Sequence, residues 1–370
     1  MPGKAGKIKK KYILTTGKDN KLKRSLLLEA LKQVMPGVEE NAVVFDIANA
    51  VMFDGSWVKT FNDSISVSYP FESEIKCLVK AKELFAVINK GDSEEIRMVM
   101  LDGGKLQISG GRTTLKMTTL DSTKFISLVD NLSLSDAVWN PLPEDFCTGL
   151  RFCCSFSANN SAYAALCGVS IATDGLAASD GRKAAIYHFP KDSFCVEEEF
   201  VLPVKAVVNL VKVAGLKEYS MVGGWVHFRN EAGVCFSTRR IDTEFPREQI
   251  NGYLNFSGLG VKEEYQFPAG LAKSIERASV LSFSDAVGSD YVEISLDKKG
   301  NMIVSGGKEF GEIKEKIAKG EWSFPDGGVI KVNPKVFVDM LHLNQKFFLK
   351  NNKFLLMRTG SLDSVLALVA

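Results

Sequence analysis

The chain has 370 residues, 45% of them hydrophobic and 24% charged, with a formal net charge of +2. That length exceeds one ordinary core and the composition is globular, so two or three domains are expected rather than a disordered or fibrous chain. The total charge demands no polyanion partner, although a basic face is compatible with it, and no apolar stretch approaches the ~20 residues of a membrane span.

Residues 1–20 read as a basic, flexible leader centred on Lys4 to Lys11, without the apolar run of a secretory signal. The first repeat then opens with an amphipathic helix, Leu26 to Val34, closed by Met35-Pro36-Gly37. Strand residues Val43 to Phe53 lead through Asp54-Gly55 to a return strand, Trp57 to Phe61. A second helix is expected from Val79 to Asn89, followed by strands Ile96 to Met100, Lys105 to Ser109 and Arg112 to Leu120. The segment ends in Leu120-Asp121-Ser122-Thr123-Lys124-Phe125.

The same order returns. Helix Phe146 to Phe156 precedes strand Ala164 to Thr173, a turn at Asp174-Gly175 and strand Leu176 to Ser179. Asp-Gly suits a tight hairpin because both residues tolerate positive φ. A helix from Pro203 to Ala214 follows, then strands Tyr219 to Val222, Trp225 to Arg229 and Gly233 to Arg239, ending in Ile241-Asp242-Thr243-Glu244-Phe245-Pro246. The third pass gives helix Pro268 to Leu281, strand Val292 to Leu296, a Lys299-Gly300 turn, strand Asn301 to Ser305 and helix Pro334 to Leu343. Strands Phe347 to Lys350, Lys353 to Arg358 and Ser364 to Val369 close it.

Three landmarks share one period. The hairpin glycines Gly55, Gly175 and Gly300 lie 120 (55 to 175) and 125 (175 to 300) residues apart. Each second helix carries a lysine at its start, Lys82, Lys205 and Lys335. Two repeats end in a hydrophobe, Asp, Ser or Thr, and then Phe. Three α+β domains are therefore expected, residues 21–130, 131–256 and 257–370. Each should lay helices on one side of antiparallel strands, and three in tandem suggest an arc that two head-to-tail chains could close.

At this point the chain resembles the bacterial DNA polymerase III beta sliding clamp family, over about Lys21 to Ala370. The likeness is most specific in Ala178-Ser-Asp-Gly-Arg-Lys-Ala184, against the family's A-T-D-G-H-R-L segment, then in residues 236–246 and 271–282. Its divergence suggests a remote, phage-encoded member. The resemblance implies three tandem clamp-fold repeats with helices inside and antiparallel sheets outside, closing into a six-domain ring as a head-to-tail homodimer. It also implies a processivity factor without catalytic site, metal or cofactor. The ring would encircle double-stranded DNA in the cytoplasm without reading sequence, tether a replicative DNA polymerase, and be opened by an ATP-dependent clamp loader.

Site residues carry over from the same resemblance. A partner-peptide groove is implied at Leu166, Ser179, Gly181, Arg182, Lys183, Ala184, Pro246, Ile250, Val365, Leu366, Ala367 and Leu368, although the C-terminal apolar run also suits a plain core strand. Arg182-Lys183 stands where the family has His-Arg, and Leu368-Val369 where it has Pro-Met, so the preferred peptide would differ. DNA-facing candidates are Lys32, Lys82, Arg151, Asn159, Asn160, Lys205, Lys273, Arg277 and Lys335, each equally suited to a solvated helix surface. Glu39 and Glu40 stand where the family places a basic contact. The dimer interface is implied at Leu115 and Met117 against Val280 and Leu281, with Lys105, Arg112 and Lys116 facing Glu309, Glu312 or Glu315.

Two other classes stay open. A clamp-fold scaffold or decoy would not encircle DNA. An enzyme would need a nucleophile pair such as Cys195 with His188 or His227. Against it, Gly103-Gly104-Lys105 runs into Leu106 rather than the Ser/Thr of a phosphate loop. The three histidines show no ligand spacing, and the seven scattered cysteines fit free thiols in a reducing compartment, with Cys147, Cys153 and Cys154 as small apolar residues rather than zinc ligands.

Overall fold

The computed structural model describes residues 21–39, 47–132, 134–254, 263–282, 290–308, 311–325 and 328–369. The leader, Glu40, Glu309 and the start of the strand expected from Val43 lie outside the described residues. The chain folds as two compact units, the first running to Cys147 and adding Lys205–Arg240, the second made of Thr148–Val204 and Ile241–Ala370.

The first unit holds an eight-stranded antiparallel sheet. Its order is Lys76–Lys80, Ala50–Asp54, Trp57–Phe61, Ile65–Pro70, Cys235–Arg239, Trp225–Asn230, Leu216–Val222 and Asn140–Pro141. A four-stranded sheet accompanies it, Lys21–Lys23, Glu95–Leu101, Lys105–Gly110 and Thr113–Thr118. Helix Arg24–Val34 buries Leu27, Ala30, Leu31 and Val34, a three-four spacing that makes one apolar stripe. The Thr60 hydroxyl fixes this helix to the sheet by donating to Val34 O at 2.5 Å.

The second unit repeats the plan. Its eight strands run Phe200–Pro203, Gly168–Ala172, Gly175–Ser179, Lys183–His188, Leu362–Ala367, Phe354–Thr359, Lys346–Lys350 and Glu264–Gln266. Its four-stranded sheet runs Gly311–Ile317, Met302–Lys308, Val292–Leu296 and Val329–Val332. Helices Leu271–Ser279 and Pro334–Leu343 pack together. The second of these starts as the sequence suggests, with Pro334 in the first turn and the Asn333 side chain accepting from Val336 N at 3.3 Å.

Each large sheet has one seam between strands of different sequence repeats. Ile65–Pro70 pairs with Cys235–Arg239, and Lys183–His188 pairs with Leu362–Ala367. In repeat order these are the same two strands each time. Their third copies, Gly311–Ile317 and Thr113–Thr118, are the free edges of the two small sheets.

Several expected elements shift. The helix expected from Val79 begins at Ala81, because Lys76–Lys80 is a strand paired with Ala50–Asp54. The segment 183–188, unassigned in the sequence, is a central strand. Two short helices, Thr123–Asp130 and Arg247–Leu254, sit on the sheet face opposite the repeat helices and have no counterpart in the sequence reading. Arg247–Leu254 contains Asn251-Gly252, poor helix formers, so its stability comes from packing Ile250 and Leu254 rather than from propensity. The hairpin turn also moves by one residue. Ala172 pairs with Gly175, so Thr173 and Asp174 form the turn. Gly175 begins the next strand at φ +147°, where a Cβ would fall 2.0 Å from Tyr187 O.

Candidate functional site

The second unit's large sheet carries one continuous apolar face under helix Arg247–Leu254. Ala177, Ala184, Ile186, Val201, Leu356 and Val365 form its floor, Ala165 and Phe245 its side, and Ile250 and Leu254 descend from the helix. Leu166, Ile241, Phe348 and Phe354 pack against this cluster while remaining partly open. Strand alternation explains the selection: Ser179 pairs with Ala184, Ala184 with Val365, and Val365 with Leu356, so all four point to one face.

Four implied groove residues, Leu166, Ala184, Ile250 and Val365, are thus brought together. Ser179 and Ala367 belong to the same face by register, with Ser179 buried and Ala367 half-buried. Pro246 and Leu368 are half-buried, Pro246 immediately before the helix and Leu368 held by its N–H to Lys353 O at 2.8 Å. Two of the implied residues turn away. Lys183 pairs with Leu366, so both project to the opposite face. The Lys183 ammonium is bonded to Ser155 O and lies 3.8 Å from Asp180; burial pulls it below the usual lysine range, against Asp180. Leu366 is a buried core residue there.

Gly181 and Arg182 are exposed in a turn built by Asp180, whose Oδ1 accepts from Arg182 N at 2.8 Å and Lys183 N at 2.9 Å. Gly181 supplies the φ of +88° that this turn needs. The motif that carried the resemblance is therefore first a structural turn. Arg182 O anchors the C-terminal strand by accepting from Ala367 N at 2.8 Å.

Arg247, absent from the sequence reading, locks helix Arg247–Leu254 to the sheet. It is 9% exposed. Its guanidinium donates to Ser170 Oγ at 2.8 Å, Asp174 Oδ1 at 2.7 Å and Gly175 O at 2.9 Å, and stands 4.0 Å from Glu199. The Asp174-Gly175 pair is thus the socket for a helix 73 residues away. Asp363 makes a second lock. Arg358 grips its carboxylate with bonds of 2.6 and 2.9 Å, and His188 Nε2 approaches to 3.3 Å. Burial raises this carboxyl, but those partners outweigh it and hold it below the usual range.

The first unit has a matching sheet face, with Phe61, Trp225, Phe125 and Leu132 in its cluster. Its floor is different. Where the second unit has Ala184, Val365 and Leu356 in register, the first has Ser66, Ser237 and His227. His227 Nδ1 lies 2.8 Å from Ser237 Oγ, while its Nε2 and the hydroxyl of the paired Ser220 are buried without a hydrogen-bond partner among the described residues. Burial pushes this imidazole down to about 4. At these three register positions the second unit is apolar and the first is polar.

The repeated lysines hold equivalent places. Lys82, Lys205 and Lys335 are each the second residue of their helix, Ala81–Lys90, Val204–Leu210 and Pro334–Leu343. A cation there opposes the helix dipole by about 0.3–1 kcal/mol, so helix stability does not explain the repetition. Lys205 and Lys335 are exposed and Lys82 half-buried. Lys32, Arg151, Asn159, Asn160 and Lys273 are exposed. Arg277 is also exposed and pairs with Glu315, with Nε 2.9 Å from Oε2. Glu312 likewise pairs with Lys314 at 2.8 Å.

Leu115 and Met117 are half-buried on the free edge strand Thr113–Thr118, and Val280 caps helix Leu271–Ser279 with 65% of its surface exposed. Leu281 is half-buried near the other free edge, 3.3 Å from where a Gly311 Cβ would stand.

Among the described residues no cluster of His, Cys, Asp or Glu could hold a metal, and no helix is long and apolar enough to cross a membrane. None of the seven cysteines is in a disulfide, and burial pushes Cys153 up to about 12.

No protein-family model and no curated protein matches this chain. Solved structures do. The DNA polymerase sliding clamp of Bacillus subtilis superposes with a TM-score of 0.74 at 17% identity, covering 95% of this chain and 98% of that one. The DNA polymerase III beta chain of Streptococcus pneumoniae gives 0.77 at 15%, covering 95% and 99%. The chain has the sliding-clamp fold. The beta subunit of Thermotoga maritima gives 0.74 at 17%, covering 95% and 98%. The likeness spans both units and essentially the whole length of each clamp.

Proposed function

We propose that this protein is a DNA sliding clamp: a head-to-tail homodimeric ring that encircles duplex DNA and tethers a replicative polymerase. One observation carries the reading. The seam that joins successive repeats is made twice within the chain, and both strands needed for a third seam are left as free edges. A second copy supplies the missing partner for each, Gly311–Ile317 of one chain against Thr113–Thr118 of the other. Two such seams would close the ring and cover these two edges.

Within the ring, Lys82, Lys205 and Lys335 would contact phosphates, an attraction without base readout that permits sliding. The apolar face under Arg247–Leu254 would receive a short peptide of the polymerase, and in turn of an ATP-dependent clamp loader. Light scattering tests the assembly. A mass of twice 40.6 kDa is expected; a monomer at micromolar concentration would refute the ring.

A further inference from the structure

We infer that the groove ends in a subsite for a carboxylate of the bound peptide, formed by Lys350 beside the rings of Tyr253 and Phe354. This rests on the peptide-groove reading above and names the chemistry the groove selects. Lys350 pairs with Phe354 at the end of the hairpin, and Phe354 pairs with Ala367, so all three share the groove face. Lys350 is only 8% exposed. Its ammonium lies 5.8 Å from the Tyr253 ring centroid and 5.6 Å from that of Phe354, and the two rings are 5.7 Å apart.

A cation this buried ordinarily has a carboxylate beside it. Among the described residues no acidic side chain comes within ion-pair distance of Lys350, and residues 255–262, which follow the groove helix, contain no Asp or Glu. The aromatic faces attract the charge but offer it no carboxylate oxygen. Tyr253 is 50% exposed, so the aromatic side of this cluster reaches the surface. Arg182 stands exposed on the other side of Ala367 and adds positive potential at the same end. An apolar peptide flanked by Glu or Asp fits both the floor and its charged end.

Two labelled peptides, acetyl-ELLFE-amide and acetyl-QLLFQ-amide, separate this subsite from the groove itself. Fluorescence anisotropy with the full-length protein should show the acidic peptide binding about tenfold tighter, the value of one charge-assisted hydrogen bond. Lys350→Gln should bring the acidic peptide to the level of the neutral one while leaving the neutral peptide's affinity unchanged, and Lys350→Arg should keep most of the preference. Equal affinities in the unaltered protein would overturn the subsite and leave the groove standing. Failure of both peptides to bind would overturn both readings. If Lys350→Gln weakened a short duplex DNA but neither peptide, the cation would belong to a nucleic-acid surface and the inference would fall.

Discussion

Arg247 shows how one buried side chain can hold a helix on a sheet face. Removing it leaves the Ser170 hydroxyl and Gly175 carbonyl without its bonds and frees the first turn of the groove helix. Because Asp174 remains 62% exposed and can rehydrate, the expected cost of Arg247→Ala is about 2–3 kcal/mol rather than the full value of a sealed ion pair. Urea unfolding would measure it, and peptide affinity should fall in parallel; an unchanged midpoint would refute the lock. His227 gives a pH prediction. Its folded pKa, about 4, lies below the ordinary 6.5, so the unfolded chain takes up the proton first as pH falls. Stability from this group is complete above about pH 6.5, declines as pH falls toward 4, and is level below, a span of roughly 3 kcal/mol. His227→Gln should flatten the pH dependence of the urea midpoint across that window. Neither residue was legible beforehand. Arg247 looks like any charge after a proline, and His227 occupies an ordinary alternating strand whose partners lie on other strands.

At the scale of elements, the two free edge strands make the sharpest claim. Replacing both Leu115 and Met117 by Asp puts two charges on the face that a second chain would cover, while the strand's own pairing to Lys105–Gly110 is untouched. The expected result is a stable monomer of 40.6 kDa with unchanged circular dichroism; persistence of the dimer would show that the edge lies elsewhere. Turn chemistry is local, so the glycines at 55, 175 and 300 and the lysines at 82, 205 and 335 disclosed the repeat from sequence alone. Pairing across a seam is not local. Nothing in Lys183–His188 announces Leu362–Ala367 as its neighbour, and the alternation that turns Lys183 and Leu366 off the groove face follows only once that register is known. The groove helix escaped notice for a related reason: Ile250 and Leu254 are too few to make an amphipathic stripe without the sheet beneath them.

For the whole molecule, a formal charge of +2 supplies no general attraction to DNA, so the proposed DNA binding would have to come from a few placed cations. Each lysine that meets a phosphate adds about 0.9 to the slope of log affinity against log salt. The triple variant Lys82→Ala, Lys205→Ala and Lys335→Ala should reduce that slope by about three per chain and weaken binding equally for all sequences. An unchanged slope would place the contacts on other residues. Topology, however, is the central claim, and electrostatics alone cannot imitate it. Monomers mixed with nicked circular duplex and then concentrated through the dimer transition should close around the DNA. The bound protein should survive a wash at high salt on the circle and be lost when the same DNA is cut once. Equal loss from circular and linear DNA under that wash would contradict the ring.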